Sequence, residues 1–181
     1  MPERLTVPTG AGASNDPYDI RQECRTLFID QLVRILRGAA SLSPEVVTAF
    51  REGVGQHFDD MAAKRRKSGF AQEADGLTAS RITLMGDSDL EVEIRLADMT
   101  RRLTEAGGGE LWRTFLRFQT LLWRPDLDKT ENPVGPEAVC AGLTQVCSHL
   151  GATVEETLNT LDRFEDELLL HLPELYREIN Q

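Results

Sequence analysis

Apolar residues in this chain return every third or fourth position, in blocks that open on a capping residue or a proline and close on glycine or proline. At about 3.6 residues per turn, that spacing gathers each block onto one stripe of a helix, which must then be buried against another helix. Nothing alternates with period two over a useful length, so a sheet is hard to build. The spacing predicts an all-α bundle of about six helices.

The blocks can be placed one by one. Asn15 or Asp16 offers the first cap, with Pro17 at the first helical position, and Ile20, Cys24, Leu27, Phe28, Leu32, Ile35 and Leu36 follow up to Gly38. Ser43 and Pro44 start a second helix with Val47, Phe50, Val54, Phe58 and Met61 as its seam, fraying through Lys64 to Lys67 before Gly69. Ser88 to Glu91 forms a capping box for a third, with Val92, Leu96, Met99 and Leu103 on one face and Gly107 to Gly109 as stop and hinge. A fourth runs from about Glu110 to Arg124, where Pro125 stops it. Pro136 opens a fifth that buries Val139, Cys140, Leu143, Val146, Cys147 and Leu150 and ends at Gly151. Thr153 and Glu156 cap the last long helix, along which Val154, Leu158, Leu161, Leu168 and Leu172 line up beside Phe164. Pro173 either kinks it or begins a short terminal helix bearing Leu175, Tyr176 and Ile179. Residues 1–14 lack periodicity and read as a flexible tail ahead of a single helical domain at 15–181. Residues 69–86 read as a long connector whose end, Ile82 to Met85, packs onto the core; a lone strand there is the weaker option, since no partner strand is evident.

Charge narrows the partners. Thirty acidic residues against twenty basic ones give a formal charge of -10, which repels phosphate backbones and anionic lipid. The basic run Lys64 to Lys67 has no interleaved aromatics and reads as a solvated helix end. Neither nucleic acid nor a membrane is expected as a partner; a protein segment that is basic or amphipathic is. The start carries no secretory signal, no apolar run reaches membrane-spanning length, and Cys24, Cys140 and Cys147 are an odd set that reads as reduced thiols. A cytoplasmic location is the expectation.

The stretch Asn132-Pro133-Val134-Gly135-Pro136-Glu137-Ala138-Val139-Cys140 resembles the Asn-Pro-aliphatic-Gly-Pro element that leads into a helix in a bacterial family known as domain of unknown function 1631. Ile82 to Met85 followed by Asp89-Leu90-Glu91, Cys24 to Phe28, and Leu175-Tyr176 through Asn180 fall in that family's order. Typical members continue well beyond the Leu-Tyr element, so the chain resembles a short, stand-alone version of the family's N-terminal helical region. The resemblance implies no activity and assigns no catalytic role to any motif residue. Some longer members are associated with cyclic-dinucleotide-binding modules. Arg21 and Arg25 have the arginine spacing of such a site, but its Asp-x-Ser-x-x-Gly element is absent.

Reaction chemistry has little to work with. His57, His149 and His171 are scattered, Cys140 and Cys147 share an apolar face, and no nucleophile elbow or Walker loop is present. No metal, cofactor or catalytic residue is therefore expected. The fourth helix carries more apolar surface than a single stripe: Leu111, Phe115, Phe118 and Leu122 form one face, and Trp112, Leu116 and Trp123 a second, turned by about 100°. Either the helix is central and packed on two sides, or the tryptophan side is left open as a partner anchor. Residues 153–181 carry eight acidic residues against two arginines. Asp162, Glu165, Asp166 and Glu167 are there either a solvated face or a docking surface for a basic helix. These features point to a non-enzymatic adaptor or regulatory binding protein, with self-association open. An acidic secretion-type chaperone holding a client segment is the alternative.

Overall fold

The computed structural model describes residues 16–64 and 87–181. The tail expected at 1–14, the basic run beyond Lys64 and the connector expected at 69–86 lie outside the described residues. Among those described, the chain forms α1 (Pro17–Ala39), α2 (Pro44–Ala63), α3 (Asp87–Leu121), a 3₁₀ turn (Lys129–Glu131), α4 (Pro136–Leu150) and α5 (Val154–Ile179), with no strand. The caps are those that the side-chain chemistry suggests. Asp16 accepts from the Tyr18 N–H at 2.9 Å and Ser43 from the Val46 N–H at 3.3 Å. Thr153 and Glu156 exchange bonds as a capping box.

Five helices stand where about six were expected, because the third and fourth blocks join into α3 across a bend at Gly108, with φ 46 and ψ −131. Such backbone is open to glycine and strained for other residues. Its neighbour Gly107 serves packing instead: a Cβ there would lie 3.1 Å from the Tyr176 ring. The helix begins at Asp87, so Ser88 sits inside its first turn rather than ahead of it. At the other end α5 continues through Pro173 as one helix, without a separate terminal segment.

Packing follows the stripes. α2 lies chiefly on α4, and α5 is held between α3 and α1. Phe28, Leu32 and Leu36 of α1 meet Leu161, Phe164, Leu168, Leu172 and Tyr176 of α5 in a core that also holds Phe50, Val54, Phe58, Met99, Leu103, Phe118 and Leu143. The α2–α4 approach is set by glycines: a Cβ on Gly142 would fall 2.5 Å from Val54 Cγ2, and one on Gly53 would fall 2.9 Å from the Gly142 Cα. Buried charge ties α3 to α5, since Glu165 accepts from Arg95 at 2.5 Å and from Arg102 at 2.7 Å. No helix among the described residues is long and apolar enough to cross a membrane.

Candidate functional site

The distal half of α3 presents its two apolar faces differently. Leu111, Phe115 and Phe118 are buried, and Phe118 packs edge-on against Phe58 with ring centroids 6.0 Å apart. The second face is open: Trp112 is 46% exposed, Leu116 43% and Trp123 81%. Trp112 leans on Phe115, and the Lys129 ammonium lies 4.9 Å above its indole ring. Leu116 also borders a groove of about 700 Å³ between α1, α3 and the end of α5, into which Ile20, Leu27, Leu121 and Ile179 project apolar surface.

Trp123 owes its exposure to the way α3 ends. The helix stops at Leu121 rather than continuing to Arg124. The Arg124 N–H reaches back to the Gln119 carbonyl at 2.9 Å and the Trp123 N–H to the Thr120 carbonyl at 3.1 Å, a Schellman closure. That closure requires left-handed backbone at Trp123, whose φ is 53, a position where glycine is the usual occupant. The Arg124 side chain turns inward to the Lys64 carbonyl at 2.6 Å and to Glu131 at 3.2 Å, while the indole turns out.

The acidic positions on α5 divide. Glu165 is 2% exposed and its carboxylate is taken by Arg95 and Arg102, so it has no surface to offer a partner. Asp162 is exposed but shares Arg95 at 2.8 Å. Asp166 is exposed, and Glu167 lies 3.4 Å from His171. The structure therefore does not gather the four carboxylates into one free patch.

Cysteine chemistry is similarly placed. Cys140 is buried, accepts from the Thr100 hydroxyl at 3.0 Å and donates to the Leu96 carbonyl at 3.6 Å. Burial pushes its thiol up to about 11. Among the described residues no three of His, Cys, Asp and Glu are grouped to hold a metal ion.

The loop from Lys129 to Pro136 completes the picture. Asn132 accepts from the Val134 N–H at 3.3 Å, and the buried Tyr176 hydroxyl donates to the Val134 carbonyl at 2.9 Å. A family model described as the N-terminal domain of a protein of unknown function, DUF1631, matches residues 21–181. The chain belongs to that family. Neither the curated proteins nor the solved structures yielded a match.

In this DUF1631 N-terminal domain the Asn-Pro-x-Gly-Pro element forms one wall of a cavity of about 430 Å³ whose other walls include Leu111, Trp112 and Phe115. Two atoms of these residues that are closed off from solvent, Asn132 Nδ2 and Glu137 Oε2, have no hydrogen-bond partner. Burial holds the Glu137 carboxyl above its usual range, against the opposing pull of its own backbone N–H. In the sequence this element stands out only as a family mark and a helix start. That its residues share a cavity with Trp112 depends on tertiary contacts that no spacing reveals.

Proposed function

We propose that this DUF1631 N-terminal domain is a non-enzymatic adaptor or regulatory protein that binds other proteins through the open face of α3, in the cytoplasm. The observation that carries the reading is Trp123: an indole 81% exposed on backbone of the left-handed region. Strained backbone and a large apolar side chain in water are both unfavourable for the free molecule, and a partner that covers the indole recovers the second term. Trp112 and Leu116 extend the surface by roughly 16 Å along the helix, a length suited to a docked helical or extended segment. Tryptophan is also the residue type most often found to dominate binding. The alternative, a chaperone that holds a client segment, rests on small size and low pI. With Glu165 buried between Arg95 and Arg102, and Asp162 sharing Arg95 at the surface, no observation favours it over the adaptor.

The test uses Trp123→Gly, because glycine keeps the helix closure and relieves the backbone. Immobilised wild-type chain and variant are offered the same cell extract, and retained proteins are identified. A protein held by the wild type and lost from a folded Trp123→Gly variant is the expected result. Identical retained sets from the two would overturn the reading.

A further inference from the structure

The open strip of α3 has a charge of its own. Arg113 and Arg117 follow Trp112 and Leu116 by one residue each, which sets them about 100° round the helix as a row beside the strip. On the other flank Lys129 shares a cavity with Leu111 and Phe115, its ammonium 4.9 Å above the Trp112 ring. All three cationic residues are exposed. Of these, only Arg113 is in an ion pair among the described residues, with Glu110 at 3.3 Å. Arg117 donates to the Asn180 carbonyl, and Lys129 rests on the indole. Several carboxylates in this region are already engaged: Asp126 by Arg124 at 3.2 Å, Asp128 as the cap of the 3₁₀ turn, and Glu178 by Gln31 at 2.8 Å. Glu137, in the cavity with Lys129, is half-buried, and Glu23 belongs to the α1 wall of the groove beside Leu116.

Charge separates the occupants that such a strip can take. The chain as a whole carries -10, which favours basic partners at long range. Charges farther off than about 8 Å are largely screened at physiological salt, so at contact the cations beside the tryptophans set the preference. A basic helix would bring like charge against Arg117 and Lys129. A second copy, related by a two-fold axis, would lay this strip on itself, again cation against cation. Single-stranded nucleic acid can stack on indoles, but its unbroken run of phosphates would enter the field of an acidic chain. An amphipathic helix with spaced carboxylates meets both demands. Its apolar residues cover the indoles, and its carboxylates meet arginines whose planar forks pair with them two bonds at a time.

We propose that Trp112, Leu116 and Trp123 take up an acidic amphipathic segment of a partner protein, with its carboxylates on Arg113, Arg117 and Lys129. The proposal rests on the protein-binding reading above and gives the partner its chemistry.

Both tryptophans of the chain lie on this strip, so intrinsic fluorescence reports on it directly. The probes are two synthetic amphipathic helices of about 18 residues, longer than the strip, with one leucine stripe in common and no aromatic residue. One carries glutamate and glutamine at its polar positions, the other lysine and glutamine. Titrated into the full chain at neutral pH, the glutamate peptide is expected to give a saturable blue shift. It binds about tenfold more tightly than the lysine peptide and weakens as salt is raised. Arg117→Gln with Lys129→Gln lowers that affinity about tenfold, and Lys129→Gln alone, at an exposed position, about threefold should the double variant unfold. Equal or tighter binding of the lysine peptide, no saturable shift with either, or undiminished binding to folded Lys129→Gln would each overturn the proposal. So would tighter binding of an oligothymidine strand, or a dimer of the free chain that the glutamate peptide does not dissociate. A preference for the lysine peptide that vanishes in Trp123→Gly would overturn this proposal and leave the protein-binding reading standing. Unchanged capture from extract by Trp123→Gly would overturn both.

Discussion

Single residues in this fold carry tension that the wild type does not relieve. At Trp123 a β-carbon occupies left-handed backbone, a conformation that costs an L-residue about 1–2 kcal/mol relative to the right-handed one. Trp123→Gly is therefore expected to raise stability by about 1 kcal/mol in urea unfolding even as it removes the proposed anchor. A loss of stability would show that the indole packs more than its exposure suggests. His57 is a second case. Burial and the nearby Lys64 lower its proton affinity, Asp60 opposes them, and its Nε2 has no partner. The unfolded chain takes up a proton near the ordinary value of 6.5 while the folded chain resists. The stability that neutral His57 allows is thus present above 6.5 and is lost as pH falls from there through the depressed folded value. His57→Leu should flatten that part of a stability–pH curve; an unchanged slope would assign it to other groups. The left-handed closure at Trp123 was hidden in the sequence because glycine, the usual mark of a helix end, is absent there. The orphaned His57 nitrogen was hidden because its surroundings are tertiary.

At the scale of elements the apolar period was sufficient to find nearly every helix, and the caps at Ser43 and Thr153 fixed two starts. What the period could not decide was whether Gly107 to Gly109 ends a helix or bends one. That depends on Tyr176 packing onto Gly107 and on helical bonding resuming beyond Gly108, both consequences of α5 lying alongside. The open tryptophan face was legible as an excess of apolar arc, but which of its sides is covered depends on neighbours. Element packing also rests on residues with no side chain at all. Gly142 of α4 lets Phe50 and Val54 of α2 approach to within 2.7 and 2.5 Å of where a Cβ would stand. Gly142→Ala places a methyl group there, and although alanine is the better helix former, the clash dominates. A net loss of about 1–3 kcal/mol is expected, measured by chemical denaturation. Unchanged stability would mean that α2 and α4 slide apart easily.

For the whole molecule, Tyr176 shows how core and cavity are joined. Its ring is fully buried on α5, packs over Gly107 of α3, and sends its hydroxyl to the Val134 carbonyl in the loop that holds Asn132 and Gly135. One side chain thus connects the last helix, the bend of the longest helix and the family element. Tyr176→Phe keeps the ring and removes the hydroxyl, leaving a buried carbonyl without its donor, and is expected to lower stability by about 1–3 kcal/mol. For a chain of this size each kcal/mol corresponds to roughly 2–4 °C in Tm. If the loop is an integral part of the bundle, the variant still melts in one transition at a lower temperature. If the loop is a separate lid, its signals broaden or exchange first while the helices keep their wild-type Tm. A single shifted transition, read together by circular dichroism and by hydrogen exchange at Val134, would place the cavity's wall in the same cooperative unit as the core.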